Sequence, residues 1–471
     1  MRTRLLVFLA AILILLATSG CGGGTSTNLT TKTTQPSTKL ASTYVLGEDA
    51  PLATVLGFNL TFNSIVLNGA AGSTNNLLAQ PETLDFARLI GLRQLMAFNS
   101  VPEGTYTSIT FQVTSPKITY LDFSTNPPSA KTMDGTWASG VTVNNGVAAI
   151  TVNLRAPVTL SGSGLVGLRM HFNLRNSLQL DGAGQITGVI DPQIDVKAVH
   201  PQDDDSQITD LRGSVASVNV AGNSFVLQKA SGKQITISVN SATTYNGGYT
   251  LATLAVGMVA EVSGTIQSDG AILATQVDVI AVQHAMLAGP ILSVDAAAHT
   301  VTILAVENVP AITGVTLQTP VTVDLSNVQH YDIGRIDNWL TAFVFNESTL
   351  IAGQRIAIEG TLDTSVTPSE FVAKRVILLR QGIAGTVVAN SVTINNGNLG
   401  SFQIENTNLI GYILGAPLTV KTSNMTHFKD VDGLSGLAAA GSPKVEVRGL
   451  ILKDQATGNP VMYAQWVQWM P

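Results

Sequence analysis

The chain has 471 residues, which is more than one hydrophobic core can organise and predicts three or four domains. Charged residues make up only 12% of it and the formal net charge is −6, so a mildly acidic chain without Lys/Arg clusters is not expected to bind nucleic acid. Its single cysteine, Cys21, excludes an intramolecular disulfide.

Residues 1–21 have the layout of a secretory signal. Two arginines come first, an apolar run of 13 residues follows, and small residues lead into Cys21. Such a run is too short for a membrane-spanning helix, which needs about 20 residues. The segment resembles a bacterial lipoprotein signal, with Thr18 where Leu is usual. This resemblance implies that Cys21 receives lipid and becomes the mature N-terminus; a plain signal or an uncleaved anchor is the alternative.

The position after the cysteine bears on the destination of such a lipoprotein. Gly22 stands there instead of Asp, which in lipoproteins of two-membraned bacteria favours export to the outer membrane. Residues 22–43 are rich in Gly, Ser and Thr and have no apolar periodicity, so they are predicted to form a flexible tether.

The first folded domain is predicted over residues 44–200. Apolar and polar residues alternate in several of its segments, which is the pattern of strands buried on one face. We therefore predict antiparallel strands arranged as a β-sandwich. The segment LDFARLIGLRQLMAF from Leu84 is compatible with a short helix or with a strand followed by a turn.

A candidate site lies on the strand predicted from Leu168. Arg169, His171 and Arg175 alternate with apolar residues, so they should share the polar face of this strand. The planar guanidinium group of arginine can form two parallel hydrogen bonds to a carboxylate or phosphate group. These three residues are therefore candidates for binding an anion. The alternative is an ordinary solvated strand face.

This domain resembles the N-terminal β-sandwich of bacterial envelope lipoproteins. The resemblance rests on GEDAPLATVLGFNLTFNSIVL from Gly47, ETLDFARLIG from Glu82 and VPEGTYTSITFQV from Val101. The molecular function of that family is unknown. The resemblance therefore implies a fold and supplies no catalytic residues.

An eleven-residue segment occurs three times in the C-terminal half. The copies are ITISVNSATTY from Ile235, VTVDLSNVQHY from Val321 and LTVKTSNMTHF from Leu418. Each has an apolar-Thr-apolar alternation, a Ser/Asn pair and a closing aromatic residue. Such recurrence is typical of duplicated structural units.

Each unit is predicted to be a small barrel of five short strands. The first strands open on a glycine, at Gly213, Gly289 and Gly385. The second strands contain FVL or VTI, at Phe225, Val301 and Val392. The fourth strands end on a glycine, at Gly264, Gly360 and Gly449. Closure into a barrel removes exposed edges. The pattern resembles a second bacterial domain family of unknown function, which is often found in tandem and has an OB-type barrel.

The predicted bounds of the three units are 207–281, 282–380 and 381–471. The second unit has a longer loop before its fourth strand, containing Arg335, Asp337 and Trp339. Because function often concentrates in long loops on a rigid barrel, these three are candidate ligand-binding residues.

The last strand contributes a further candidate, Trp466. By register with Gln276 and Arg375 of the other units, its side chain should point outward from the barrel. An outward aromatic residue can stack on a sugar or become buried in a partner. The alternative, for Trp466 as for Trp339, is packing against a neighbouring repeat.

Together these patterns predict an all-β protein with an N-terminal β-sandwich followed by three small five-stranded OB-like barrel repeats. We expect a lipid-anchored, non-catalytic binding module of the bacterial cell envelope, without cofactor or metal. The expected partners are the membrane, through the N-terminal lipid, and a glycan or an envelope protein. The alternative function is a purely architectural spacer.

Overall fold

A computed structural model describes residues 40–470 except for gaps at 51–54, 71, 75, 90–91, 123–128, 163, 183–184, 204–205, 246–247, 283, 334–342, 368 and 407–415. Cys21, the first part of the predicted tether and the loop candidates Arg335, Asp337 and Trp339 lie outside the described residues. In the described part of the chain, no helix has both the length and the apolar character needed to cross a membrane.

The N-terminal domain is built from strands joined mostly by short turns. They are β1 (Leu40–Ala50), β2 (Val55–Gly69), β3 (Gly72–Ser73), β4 (Glu82–Asp85), β5 (Gln94–Pro102), β6 (Gly104–Asp122), β7 (Ser129–Asp134), β8 (Thr136–Trp137), β9 (Thr142–Asn144), β10 (Val147–Leu160), β11 (Leu165–Asn173), β12 (Leu178–Leu180), β13 (Ile186–Ile190) and β14 (Ile194–Val199). One helical turn, α1 (Leu174–Ser177), follows β11. Since β1 begins at Leu40, the end of the predicted tether at 40–43 belongs to the fold.

Two sheets of this domain face each other across a shared core. One has the order β14-β11-β1-β5, and the other runs β3-β2-β6-β10-β9 with β4 on β2 and β7 on β6. Phe58 on β2 and Phe172 on β11 are fully buried, with ring centroids 5.3 Å apart across the two sheets. The predicted sandwich is confirmed. The expectation of antiparallel pairing is wrong for β1, which runs parallel to β11.

The segment from Leu84, for which helix and strand both remained open, contains both kinds of structure. It begins in β4, passes through a 3-10 turn at Phe86–Arg88 and continues into β5. Asp85 caps the turn by accepting a hydrogen bond from the Ala87 amide. Phe86 is fully buried and packs on Phe172 at 5.1 Å, so burial of one ring in the core fixes this turn.

The C-terminal half consists of three similar sheets, here called barrels 1, 2 and 3. Barrel 1 contains β15 (Ile208–Asn219), β16 (Ser224–Gln228), β17 (Gln234–Ser238), β18 (Thr244–Tyr245), β19 (Val259–Ile266) and β20 (Ile272–Ala281). Barrel 2 contains β21 (Ala285–Asp295), β22 (Thr300–Leu304), β23 (Glu307–Val309), β24 (Pro320–Asp324), β25 (His330–Ile333), β26 (Arg355–Asp363) and β27 (Glu370–Leu378). Barrel 3 contains β28 (Gln381–Val387), β29 (Thr393–Asn396), β30 (Leu399–Asn406), β31 (Leu418–Thr422), β32 (His427–Lys429), α2 (Gly433–Ala440), β33 (Lys444–Lys453) and β34 (Pro460–Met470).

The strand pairings of the described residues close barrels 1 and 2 into five-stranded rings. Barrel 1 runs β17-β16-β15-β19-β20 and back to β17, and barrel 2 runs β22-β24-β27-β26-β21 and back to β22. Barrel 3 follows β28-β33-β34-β31-β30, with a return pairing of β30 to Gly385–Val387 of β28, and is a near-barrel. The predicted repeat of small barrels is thereby confirmed.

The eleven-residue segments occupy the same place in each barrel. Both ends of each segment lie parallel to the last strand of the barrel. The equivalent pairs are Ile237 with Ile272 and Thr244 with Gln276, Val323 with Phe371 and His330 with Arg375, and Val420 with Met462 and His427 with Trp466. One chain path, repeated three times, therefore explains the recurring sequence.

The fourth strand of each barrel contains a β-bulge at its glycine. The register shifts at Gly264, Gly360 and Gly449 against the last strand. A Cβ atom at these positions would collide with the carbonyl oxygen of Leu273, Val372 or Tyr463. Glycine is thus required because two backbones approach each other closely at the corner of the barrel.

The prediction for the second strand of barrel 3 is wrong. The segment at Val392 forms β29, whose residues Thr393–Asn396 are exposed. The strand that pairs with β28 is instead β30, and its Phe402 and Ile404 are fully buried. SFQI at Ser401 matches SFVL at Ser224 of barrel 1, so the sequence contained the correct alignment.

All three barrels contact the sandwich. Lys229 of barrel 1 forms an ion pair with Glu82. Gln318 of barrel 2 donates a hydrogen bond from Nε2 to the Asp85 carboxylate at 3.2 Å. The remaining contact, with Trp466 of barrel 3, belongs to the candidate site. Each barrel therefore packs against the sandwich, and the barrels do not extend away from it as a linear array.

Candidate functional site

A cavity of about 840 Å³ lies between the sandwich and barrel 3 and is here called the cleft. The sandwich and barrel 3 both contribute charged and amide side chains to its wall. The lining residues are Glu48, Arg155, Arg169, His171, Asn173, Arg175, Asn176, Gln193, Ile194, Asp195, Lys197, Ala384, Asp430, Lys444, Glu446, Gln468, Trp469 and Met470. Arg169, His171 and Arg175, the candidates from the polar strand face, are all among them.

On the sandwich side, β11 presents its polar face to the cleft. Leu168, Met170 and Phe172 are buried in the core, so Arg169 and His171 face the other way, as the alternation predicts. Arg175 departs from that prediction. It lies in α1, because β11 ends at Asn173, whose side chain accepts a hydrogen bond from the Asn176 amide and caps the turn.

Glu48 on β1 is the charged centre of this wall. Its Oε1 lies 3.1 Å from Nε of Arg169 and 3.2 Å from Nδ1 of His171. Its Oε2 lies 3.3 Å from Nε of Arg93. Burial disfavours the carboxylate, but the hydrogen bond to His171 and the charges of Arg169 and Arg93 outweigh it and hold the pKa of Glu48 at about 2.

On the barrel side, Glu446 faces the cleft from the middle of β33. Val445 and Val447 are buried in the core of barrel 3, so the intervening Glu446 side chain points out of the barrel. Glu446 is only 9% exposed, yet it has no hydrogen bond or ion pair with any described residue. Burial, followed by the charge of Glu48, raises its pKa to about 7.

The repeat explains why Glu446 has no partner. Its equivalent in barrel 1 is Glu261, since both stand three residues before the bulged glycine of the fourth strand. Glu261 lies directly opposite Arg212 and accepts hydrogen bonds from it at 2.6 and 2.8 Å. Opposite Glu446, barrel 3 has Ala384. Barrel 3 therefore has the glutamate of this pair without its arginine.

Two exposed cations and one exposed tryptophan are among the residues that line the cleft. Arg175 and Lys444 are exposed and have no partner among the described residues. Trp469, 37% exposed, lies near the end of β34 and also lines the cleft. Gln468 donates a hydrogen bond from Nε2 to Asp430 at 2.9 Å, which holds one amide in place.

Trp466, for which an exposed ring and packing against a neighbouring repeat both remained open, is buried in the structure. Trp466 is 7% exposed and does not line the cleft. The guanidinium carbons of Arg93 and Arg448 lie 5.9 and 6.0 Å from its ring centroid, so it is packed between barrel 3 and the sandwich. Its outward orientation from the barrel is correct, because the ring lies outside the barrel core.

Sequence reasoning missed Glu48, Glu446 and Trp469. The signal for Glu446 was present in the repeats: AEVSG and VEVRG share a glutamate, whereas LRG at Leu211 becomes IAG at Ile383. Nothing local distinguishes Glu48, whose partners come from other strands. Of the described side chains, no group of three His, Cys, Asp or Glu is placed to hold a metal ion.

Comparison with known proteins supports the resemblance to two domain families of unknown function. A search of curated proteins finds no match to the chain. The chain joins two domains of unknown function, the sandwich matching the family DUF4382 over residues 42–187 and barrel 1 matching the family DUF5666 over residues 212–278.

Proposed function

We propose that this protein is a lipid-anchored component of the bacterial cell envelope that binds an acidic glycan in the cleft without catalysing a reaction. The observation that carries the proposal is that two exposed cations, Arg175 and Lys444, and the exposed Trp469 line the same cavity of about 840 Å³.

The charge of the cleft supports an anionic ligand. Five Arg or Lys side chains line it, against four carboxyl groups, in a chain whose overall charge is −6. Arg155 and Asp195 neutralise each other at 2.7 Å, and Glu48 is paired with Arg169 and His171. Arg175 and Lys444 remain available to bind a carboxylate, sulfate or phosphate.

The shape and lining of the cleft favour a sugar over a protein surface. Its volume lies within the range of about 300–1,000 Å³ that is typical of small-molecule sites. Trp469 offers a ring face for stacking, and the amides of Asn173, Asn176, Gln193 and Gln468 can bond to hydroxyl groups.

The environment of Glu48 makes it unsuited to act as a general base in the cleft. Both of its carboxylate oxygens are occupied by cationic groups from Arg93, Arg169 and His171. A carboxylate held in this way at a pKa of about 2 is a poor general base near neutral pH.

The arrangement of the barrels favours the binding module over the spacer. A spacer would project the sandwich away from the barrels, whereas barrels 1, 2 and 3 all contact it. The cleft exists only because barrel 3 returns to the sandwich.

The proposed lipid anchoring to a membrane rests on the N-terminal sequence. Cys21 follows an apolar run and small residues in the manner of a lipoprotein signal. Mass spectrometry of the mature protein should find acyl chains on an N-terminal Cys21, and Cys21→Ala should release the protein from membranes. Mature protein beginning elsewhere, or without acyl chains, would refute the anchor.

A glycan array tests the ligand class. Acidic oligosaccharides should bind the wild type, and their neutral or esterified counterparts should not. Trp339→Ala provides a separate test of the long loop of barrel 2. Equal binding of acidic and neutral glycans, or binding of none, would refute the proposal.

A further inference from the structure

We infer that Glu446 holds the acid group of the ligand as a neutral hydrogen-bond donor, so that binding of an oxyanion in the cleft is coupled to one proton. The inference rests on the proposed function, because it names how the same cleft recognises its anion.

The comparison of barrels 1 and 3 carries the inference. A buried carboxyl group costs free energy unless it is paired, and barrel 1 pairs Glu261 with Arg212. Barrel 3 keeps the carboxyl group at Glu446 and replaces the arginine by Ala384. Both Glu446 and Ala384 line the cleft, so the place of the missing guanidinium is open to a ligand.

The groups facing Glu446 explain why it acts as a donor. Arg93, Arg169 and His171 approach from the sandwich and their charges act to lower the pKa of Glu446, but all three are paired with Glu48, and burial and the Glu48 charge outweigh them. Lys444 lies on the same strand, and Asp430 is bonded to Gln468. The negative charge of Glu48 therefore favours the neutral form of the Glu446 carboxyl group. Its O–H can then donate a hydrogen bond to an incoming anion.

The proton balance gives the pH dependence. Burial and the charge of Glu48 raise the pKa of Glu446 to about 7. Below pH 7 the proton is already present, and an anion binds without proton exchange. Above pH 7 Glu446 is ionised and repels the anion, so binding takes up one proton from solvent. The affinity then falls about tenfold for each pH unit.

Isothermal titration calorimetry with tetragalacturonate and with a sulfated tetrasaccharide tests this from pH 5.5 to 8.5. Each titration is repeated in two buffers of different ionisation heat, which counts protons in the wild type without any substitution. We expect uptake near zero at pH 5.5 and near one proton at pH 8.5. The two probes separate a carboxylate ligand from a sulfate ligand, and the proton count should be the same for whichever binds.

Glu446→Gln keeps a donor but cannot ionise. It should bind within about threefold of the wild type at pH 5.5 and remain constant up to pH 8.5. Ala384→Arg supplies the cation that barrel 1 has, and should reduce binding at least tenfold by occupying Glu446 internally.

Three outcomes would overturn the inference. Wild-type binding without proton uptake refutes it and leaves the proposed function standing. Proton uptake that persists unchanged in Glu446→Gln assigns the proton to another group, such as His171. Absence of binding by both probes at every pH refutes the proposed function and this inference together.

Discussion

Glu48 and Glu446 are brought into one cleft from opposite ends of the chain, and their pKa values are moved in opposite directions, to about 2 and about 7. Glu48 is held by Arg93, Arg169 and His171. Glu446 has no ion-pair partner on the neighbouring strand, because Ala384 stands where barrel 1 has Arg212. At neutral pH Glu48 is therefore ionised, whereas the Glu446 carboxyl group is near its midpoint.

The two neighbouring tryptophans of β34 should respond differently to substitution. Trp469→Ala removes an exposed ring from the wall of the cleft, so we expect at least a tenfold loss of glycan affinity with little change in stability. Trp466→Ala removes a buried ring between two guanidinium groups and should cost about 3–5 kcal/mol of unfolding free energy. Calorimetric titration and urea unfolding of both variants measure this. The reverse pattern would place the ligand at Trp466.

Glu446 should make stability fall as pH rises. Its pKa is raised from 4.5 to about 7 in the folded protein, so its contribution is fully present below pH 4.5 and is lost by pH 7. Over this pH range the expected loss of unfolding free energy is about 3 kcal/mol. Urea unfolding of Glu446→Gln should show no such decline. The unfolding free energy of the variant should therefore rise relative to that of the wild type between pH 4.5 and 7. Parallel curves for the two proteins would show that Glu446 titrates normally.

Arg212 should be needed for stability because its side chain is 1% exposed and pairs with Glu261 and with Glu307 of barrel 2. Arg212→Ala leaves the buried carboxylate of Glu261 and the half-buried carboxylate of Glu307 with fewer partners, and we expect a loss of about 3–5 kcal/mol. Arg155→Ala is the matched control. Its pair with Asp195 is exposed, with 71% of the Arg155 side chain accessible, and its loss should cost no more than about 1 kcal/mol. Equal costs in urea unfolding would contradict the buried network.

The bulged glycines should be intolerant of a methyl group. Gly360→Ala would place Cβ against the Val372 carbonyl oxygen, and we expect a cost of about 1–3 kcal/mol. Gly140→Ala, where no atom lies within 4 Å of the added Cβ, should change stability by less than about 0.5 kcal/mol. Thermal melting of both variants decides this, and a neutral Gly360→Ala would mean that the corner is not closely packed.

The sequence predicts the strands of this fold well wherever one face is buried. The alternation around Phe172 identifies β11, and the three repeated segments identify the barrels, since burial on one face imposes a period of two. It fails for β29 and β30, because an extra exposed hairpin in barrel 3 displaced the alignment by one strand. It also fails for the parallel pairing of β1 with β11, which local pattern does not specify.

The candidate site could be predicted only in part. Arg169 and His171 follow from the polar face of one strand. Glu48 and Glu446 could not be joined to them, because the cleft forms when barrel 3 packs on the sandwich, and no local pattern encodes that contact. Within barrel 3, the replacement of an arginine by Ala384 was readable from the repeat itself.

The most direct test of the account is the affinity of the cleft for an acidic sugar. Calorimetric titration at pH 6 should compare tetragalacturonate binding to the wild type, to the Arg175→Ala/Lys444→Ala double variant and to Lys117→Ala. Lys117 is the control because it is an exposed lysine on β6, in the sandwich sheet that does not contain β11. We predict saturable binding to the wild type and to Lys117→Ala, and at least a tenfold weaker affinity in the double variant. Unchanged affinity in the double variant, or no binding to the wild type, would contradict the assignment of the cleft.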